Sequence, residues 1–369
     1  MTAQHSDTPN LPTAARRVGA ADAAARLPRR VSARVPVLVA TLVLVGAVVL
    51  SVAVGPVSIS PQALVDALLA HLPGVHPSTA TSPVDQAIVW QLRLPRVVLA
   101  AMVGAILAAS GATYQGVLRN SLADPYLLGA AAGAGLGATT VIVAGQDSRL
   151  ILPMAAFAGA VIAVVLTYVI ATAGGTRDNG STVLLAGVAV AALLTAIQTY
   201  LQQRNIADLR QIYSWILGSF TTASWSDVRL VAPYIAVSAA VLLAHRRILD
   251  VLRVGGDEAA SLGIHPERTR LILVAAATLG TAAAVAVSGL IGFVGIIVPH
   301  TVRLTAGASY RIVLPVSMIG GAAFLVLADV AARSVQAPAE VPIGVITAIA
   351  GAPFFLFVLR SRRTRRDLS

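Results

Sequence analysis

The chain contains no cysteine and no lysine, and all 27 of its basic residues are arginine. Without cysteine there is no disulfide, no thiolate metal site and no cysteine nucleophile. Without lysine there is no Walker A loop, Gly-x-x-x-x-Gly-Lys-Ser/Thr, whose lysine reaches the β- and γ-phosphates of a nucleotide. If ATP drives this protein, a separate chain must hydrolyse it. Charge is also scarce. Only 12% of the 369 residues are charged, whereas soluble domains carry about 25%. No His-Glu-x-x-His run occurs, and no Ser/His or paired-carboxylate set stands inside an apolar stretch. An intramembrane enzyme is therefore a poor reading, and no catalytic residue is assigned.

What is abundant is apolar sequence, 57% of the chain. A helix needs roughly 20 apolar residues to cross a bilayer. Ten runs read as spans, at about 35–55, 97–118, 127–145, 150–171, 183–203, 228–244, 271–290, 293–303, 312–332 and 343–359. The expected fold is an all-α polytopic membrane protein of about ten transmembrane helices, with both termini on one side. Residues 1–34 read as a basic N-terminal tail, 35–360 as the membrane domain and 361–369 as a second basic tail. The net charge of +11 does not call for nucleic acid, because the arginines sit in tails and in segments flanking the spans. Most lie on the side of the termini; Arg93, Arg96, Arg149, Arg204, Arg210, Arg229 and Arg333 fall on the other. By the positive-inside rule both termini are cytoplasmic, in the cell membrane.

Between the spans lie a few polar segments. Ser60 is placed to cap a short amphipathic helix, 61–72. The loop Gly174 to Thr182 is rich in glycine, but no strand precedes it, so a plain turn is the stronger reading. Gln198, Tyr200, Gln202 and Gln203 make a polar helix end, suited equally to lining a pathway or to leaving the membrane. In 245–270 a short helix is expected from Asp257 to Leu262, capped by Asp257 and ended by Gly263. His300 follows Pro299 with no second histidine or carboxylate near it in sequence, so no metal site is read there.

The residues around the second span carry more information. Arg93-Leu94-Pro95-Arg96 precedes a helix holding Gly104, Ser110, Gly111 and Gln115. Arg119-Asn120, Leu122-Ala123, Pro125 and Leu128-Gly129 follow in order. Later come Gly292-Phe293, Gly295, Pro299-His300, Arg303, Arg311, Pro315, Ala328-Asp329, Arg333, Pro342, Gly344, Gly351 and Pro353. This pattern, together with Asp257-Glu258-Ala259-Ala260-Ser261-Leu262-Gly263, resembles the transmembrane subunit of the ABC importers for ferric siderophores, cobalamin and haem. It covers roughly 35–360. Two departures stand out: Ser121 where the family has proline, and Ser309-Tyr310 where it commonly has Asp-His.

The resemblance implies a permease subunit, without a cofactor or an ATPase site of its own. It would carry an iron–siderophore chelate, or cobalamin or haem, into the cytoplasm. Its partners would be ATP-binding cassette subunits, a substrate-binding lipoprotein or periplasmic protein, and a second permease subunit in a homodimer or heterodimer, all embedded in or against membrane lipid. The coupling segment for the ATPase matches 255–268, with Gly256, Asp257, Glu258, Ala259, Ser261, Leu262 and Gly263 at its centre. The binding protein's glutamates would meet Arg93, Arg96 and Arg333. Arg333 also stands four residues after Asp329, so a local pair on one helix face is its other reading. The cytoplasmic gate matches Gly180 and Ser181. The rival reading from residues alone is an ion-coupled secondary transporter. Such proteins place ionisable groups near the bilayer midplane, and these spans hold almost none.

Overall fold

The structure is a computed structural model, and it describes residues 34–55, 57, 59–69, 82–173 and 180–366. The basic tail expected at 1–34, all but Arg34, lies outside the described residues, as does most of the 174–182 loop. Among the described residues the regular elements are all helical. Ten apolar helices appear, in the order read from the sequence: α1 (Arg34–Ala53), α4 (Leu94–Val117), α5 (Ala130–Val143), α6 (Ile151–Ala173), α7 (Gly180–Arg204), α9 (Trp225–Ala244), α12 (Pro266–Ser288), α13 (Val294–Ala306), α14 (Tyr310–Ser334) and α15 (Ile343–Arg366). Short helices fill the connections: α2 (Pro61–Leu69), α3 (Pro83–Ala87), α8 (Leu209–Ile216), α10 (Arg246–Leu252) and α11 (Gly256–Ser261). Among the described residues, seven helical segments are long and apolar enough to cross a membrane. The other three are α15, whose apolar part is Ile343–Leu356, and α5 and α13; the latter two, with 14 and 13 residues, are roughly 20 Å long and fall short of the roughly 30 Å hydrocarbon layer. α15 runs on through Arg366 and takes in most of the expected C-terminal tail.

The second span is the centre of the bundle. Of its apolar stretch 78% is buried, against 17% for α1, so α4 is the helix that the others surround. It packs on α14, α12, α13 and α9. Small residues set the spacing. A methyl group on Gly104 would collide with the carbonyl oxygen of Gly321, and one on Gly111 with that of Gly295. Backbones this close gain dispersion contacts that lipid cannot match. The polar residues of the α4 region are shielded as lipid requires. Gln115 Nε2 donates to the carbonyls of Ala123 (3.2 Å) and Gly295 (3.0 Å). Tyr114 Oη lies 2.8 Å from Thr278 Oγ1.

Two expectations are corrected here. Arg93 and Arg96 do not precede the second span. They lie within it, because a π turn over Ile88–Arg93 joins α3 to α4. The wider turn brings Leu94 N–H to Val89 O, and Pro95, which has no N–H to donate, follows directly after it inside the continuous helix. Second, Asp257 does not cap α11. The helix begins one residue earlier, with Gly255 at the N-cap and Asp257 in the first turn. Glu258 explains this, since its carboxylate lies against Gly255 where any side chain would collide with it. Gly263 does end the helix, with φ +78° and its N–H donating to Ala260 O at 2.9 Å. Ser60 caps α2 through Ala63 N–H at 3.2 Å. At the Ser121 departure, Asn120 Oδ1 accepts from Leu122 N–H at 3.0 Å, so the turn is held without a proline.

Candidate functional site

The connections gather at two ends of the bundle. One end holds residues 51–55, 57, 85–96, 205–227, 288–292 and 335–344; the other holds 118–124, 245–268 and 303–311.

The three arginines singled out in the sequence meet at the first end, and all three are engaged. Arg93 is buried. Its guanidinium donates to the carbonyls of Val52 (2.5 Å), Ala53 (3.2 Å) and Val57. Arg333 is buried too, and donates to Val54 O (2.6 Å), Ser51 O (2.6 Å) and Ser51 Oγ (2.7 Å). Together they satisfy the free carbonyls at the end of α1, which an isolated helix leaves to water. Arg333 also pairs with Asp329 at 3.4 Å, the local pair of the sequence reading. Arg96 faces a different set. Its Nε reaches both oxygens of Asp329 at 3.0 Å, and its Nη1 and Nη2 reach the two oxygens of Glu340 at 2.8 Å each. The planar fork thus holds one carboxylate from its side and one from its tip. Glu340 also accepts from Thr221 Oγ1 at 3.0 Å. The Arg96 contact is the main reason the Glu340 carboxyl is held below its ordinary 4.5.

Around this cluster the chain is stapled where helices break. Gly344 N–H donates to Leu217 O (3.0 Å), Ile343 N–H to Gly218 O (3.2 Å) and Ser219 N–H to Ser288 O (3.0 Å). Beside it opens a cleft of about 630 Å³ with a mixed lining, polar at Arg210, Gln211, Ser219, Thr221 and Ser288 and apolar at Ile142, Leu152 and Val287. Trp225 Nε1 donates to Trp90 O at 2.6 Å. Sequence reasoning missed Glu340 and Thr221. The only signal for Glu340 was an acidic residue in a connection otherwise apolar and small.

At the other end α11 stands out from the bundle. Asp257, Glu258, Ser261 and Leu262 are exposed, while Ala259 is buried and anchors the turn. Leu262 is 67% exposed and Val254 68%, an apolar pair flanking an acidic helix. Behind it the Ser309-Tyr310 departure has a clear use. Asp250 of α10 accepts from Ser309 Oγ (2.8 Å) and Tyr310 N–H (2.6 Å), which caps α14. The buried Tyr310 accepts in turn from Arg303 Nη2 at 3.0 Å, and Arg303 Nη1 donates to Gln115. A hydrogen-bonded chain therefore runs from α10 to the last turn of α4. Gly180 and Ser181 open α7, with Ser181 exposed. Gln198 is buried and donates to Thr139 at 3.2 Å, while Tyr200 on the same helix is exposed. His300 packs edge-on to Phe354, with ring centres 6.1 Å apart.

Residues 42–361 match the FecCD transport family. The cobalamin import system permease protein BtuC of Halobacterium salinarum is 46% identical over 280 residues, 76% of this chain and 75% of that protein. The Fe(3+)-citrate import system permease protein YfmE of Bacillus subtilis is 36% identical over 325 residues, 88% of this chain and 94% of its own length. The hemin transport system permease protein HmuU of Yersinia pestis is 37% identical over 298 residues, 79% and 88% of the two chains. A solved structure of an inward-facing metal-chelate type ABC transporter superposes with a TM-score of 0.77 at 30% identity, covering 88% of this chain and 98% of that one.

Proposed function

This chain belongs to the FecCD transport family, and on that premise we propose that it is the membrane permease subunit of an ATP-driven importer of metal chelates. The cargo is an iron–siderophore chelate, with cobalamin or haem as the other members of the same class. The observation that carries this reading is the family match over 42–361, backed by relatives whose names span cobalamin, ferric citrate and hemin import. The chain supplies no nucleotide site of its own, so cassette ATPase subunits hydrolyse ATP. Two permease subunits, alike or different, enclose the pathway. The membrane domain is taken as 35–360, with basic tails on the ATPase side.

Three regions divide the work in this reading. Segment 255–268 receives the ATPase; its exposed acidic helix with Leu262 at the tip supports this. The Arg93, Arg96 and Arg333 end receives the substrate-binding protein; Arg96, whose fork faces carboxylates near an open cleft, supports this, while Arg93 and Arg333 are buried and hold the end of α1. Gly180 and Ser181 form the cytoplasmic gate, at the start of a helix whose other end runs towards that cleft.

The test is uptake in vesicles holding the permease, its ATPase and its binding protein. Labelled ferric chelate, cobalamin and haem are offered in turn. Uptake that needs all three proteins and ATP, and survives collapse of the ion gradients, is expected. Uptake by the permease alone, following a proton or sodium gradient, would instead establish a secondary transporter.

A further inference from the structure

Arg93 and Arg333 spend their donors on the carbonyls that end α1. Arg333 meets Asp329 through Nε at 3.4 Å, but of the three arginines only Arg96 hydrogen-bonds two carboxylates, and its two partners differ sharply. Asp329 is sealed inside α14, with 1% of its side chain exposed, whereas Glu340 is 27% exposed. Asp329 is fixed by the helix that carries it. Glu340 sits in the connection between α14 and α15, and its described hydrogen bonds are to Arg96 and Thr221. One of the two carboxylates on Arg96 is thus fixed, and the other is placed to leave.

We propose that Glu340 is an internal stand-in for an acidic side chain of the docking protein, and that docking exchanges one carboxylate for the other on Arg96. This rests on the docking reading given above and adds its mechanism. An exchange conserves the ion pair, so Arg96 never carries a desolvated, unpaired charge, which is the expensive outcome for a buried ion. Three guanidiniums stand here against two carboxylates within hydrogen-bonding reach, so the cluster accepts further negative charge. The bidentate fork selects a carboxylate over a neutral group. The exchange also carries a signal. When Glu340 leaves Arg96 it takes with it the bond to Thr221, and so loosens the 219–224 turn from the 335–342 connection. Those two segments begin α9 and α15, and the second is stapled to the end of α8 through Gly344 and Leu217.

The experiment measures binding of the purified cognate substrate-binding protein to the detergent-solubilised importer. The variants are Glu340→Gln, which keeps the shape and removes the charge, Thr221→Val, and Arg96→Gln. Removing the internal competitor should tighten binding by roughly twofold to fivefold in E340Q, the range of a partly exposed ion pair. T221V should tighten it less, and R96Q should weaken it more than tenfold. If R96Q weakens binding while E340Q and T221V leave it unchanged or weaken it, the exchange is wrong and docking at Arg96 stands. If R96Q binds like the parent, docking at Arg96 fails and the exchange with it. Should E340Q not fold, T221V decides: tighter binding supports the exchange, and unchanged binding overturns it.

Discussion

Arg333 and Arg149 are both arginines paired with an aspartate, yet burial gives them very different weights. Arg149 is 64% exposed and meets Asp227 at 3.1 Å. A pair of that kind contributes roughly 0 to 1 kcal/mol. Arg333 is 5% exposed at its side chain, beside an Asp329 at 1%. Removing one member of a buried pair costs roughly 3 to 5 kcal/mol. R333A should therefore lower the unfolding midpoint in detergent by several degrees, while R149A leaves it nearly unchanged. R333K should recover only part of the loss, since one ammonium cannot serve Ser51, Val54 and Asp329 together. Glu340 predicts a pH dependence. Its carboxyl is held below 4.5 by Arg96, so its stabilisation is complete above that value and is lost as pH falls through the lowered one. The stability gap between the parent and E340Q should stay constant from about pH 8 to about pH 5 and close only in stronger acid. The three arginines were legible as a set, because their spacing resembles a family pattern. That Arg93 and Arg333 turn inward to the carbonyls of α1 was not. Their direction depends on a helix some forty residues or more away.

At the scale of elements, helix contacts hinge on absent side chains. A methyl on Gly104 meets the Gly321 carbonyl, whereas one on Gly46 meets nothing within 4 Å. G104A should destabilise the bundle by roughly 1 to 3 kcal/mol through overpacking. G46A should be neutral or stabilising by up to about 1 kcal/mol, as alanine favours helix. Thermal unfolding of the two variants side by side checks this. Asp250 predicts a functional effect. It ties α10 to the start of α14, and a lost cap costs about 1 kcal/mol. D250N should fold, but in the full importer it should raise the ratio of ATP hydrolysed to substrate moved, because α11, the proposed ATPase contact, follows directly on α10. An unchanged ratio would leave Asp250 as a cap and no more. The positions of the apolar helices were largely legible, since long apolar runs bounded by glycine and proline leave few choices. The π turn that carries the second span back to Pro83 was not, because Leu94-Pro95 reads locally as a helix start.

For the whole molecule the prediction concerns energy. The purified chain should hydrolyse no ATP above a mock preparation, and turnover should appear only when cassette subunits are added. Robust hydrolysis by the chain alone would refute this. E258R in α11 paired with L262E just after it should abolish the stimulation and leave the melting temperature close to the parent's, since both side chains are exposed. The sequence by itself determined that this is an all-helical membrane protein, because 57% apolar content with so little charge cannot stay in water and an exposed backbone cannot stay in lipid. It also determined the family, through residues kept in order along most of the chain. Only the tertiary structure decided which helix is central, which arginines are spent inside, and that Glu340 holds Arg96. Those outcomes depend on contacts between residues far apart in the chain, from about forty positions for Arg93 with Val52 to more than two hundred for Arg96 with Asp329 and Glu340. Local composition sets where a helix forms, but the packing of its neighbours sets what each polar side chain can reach.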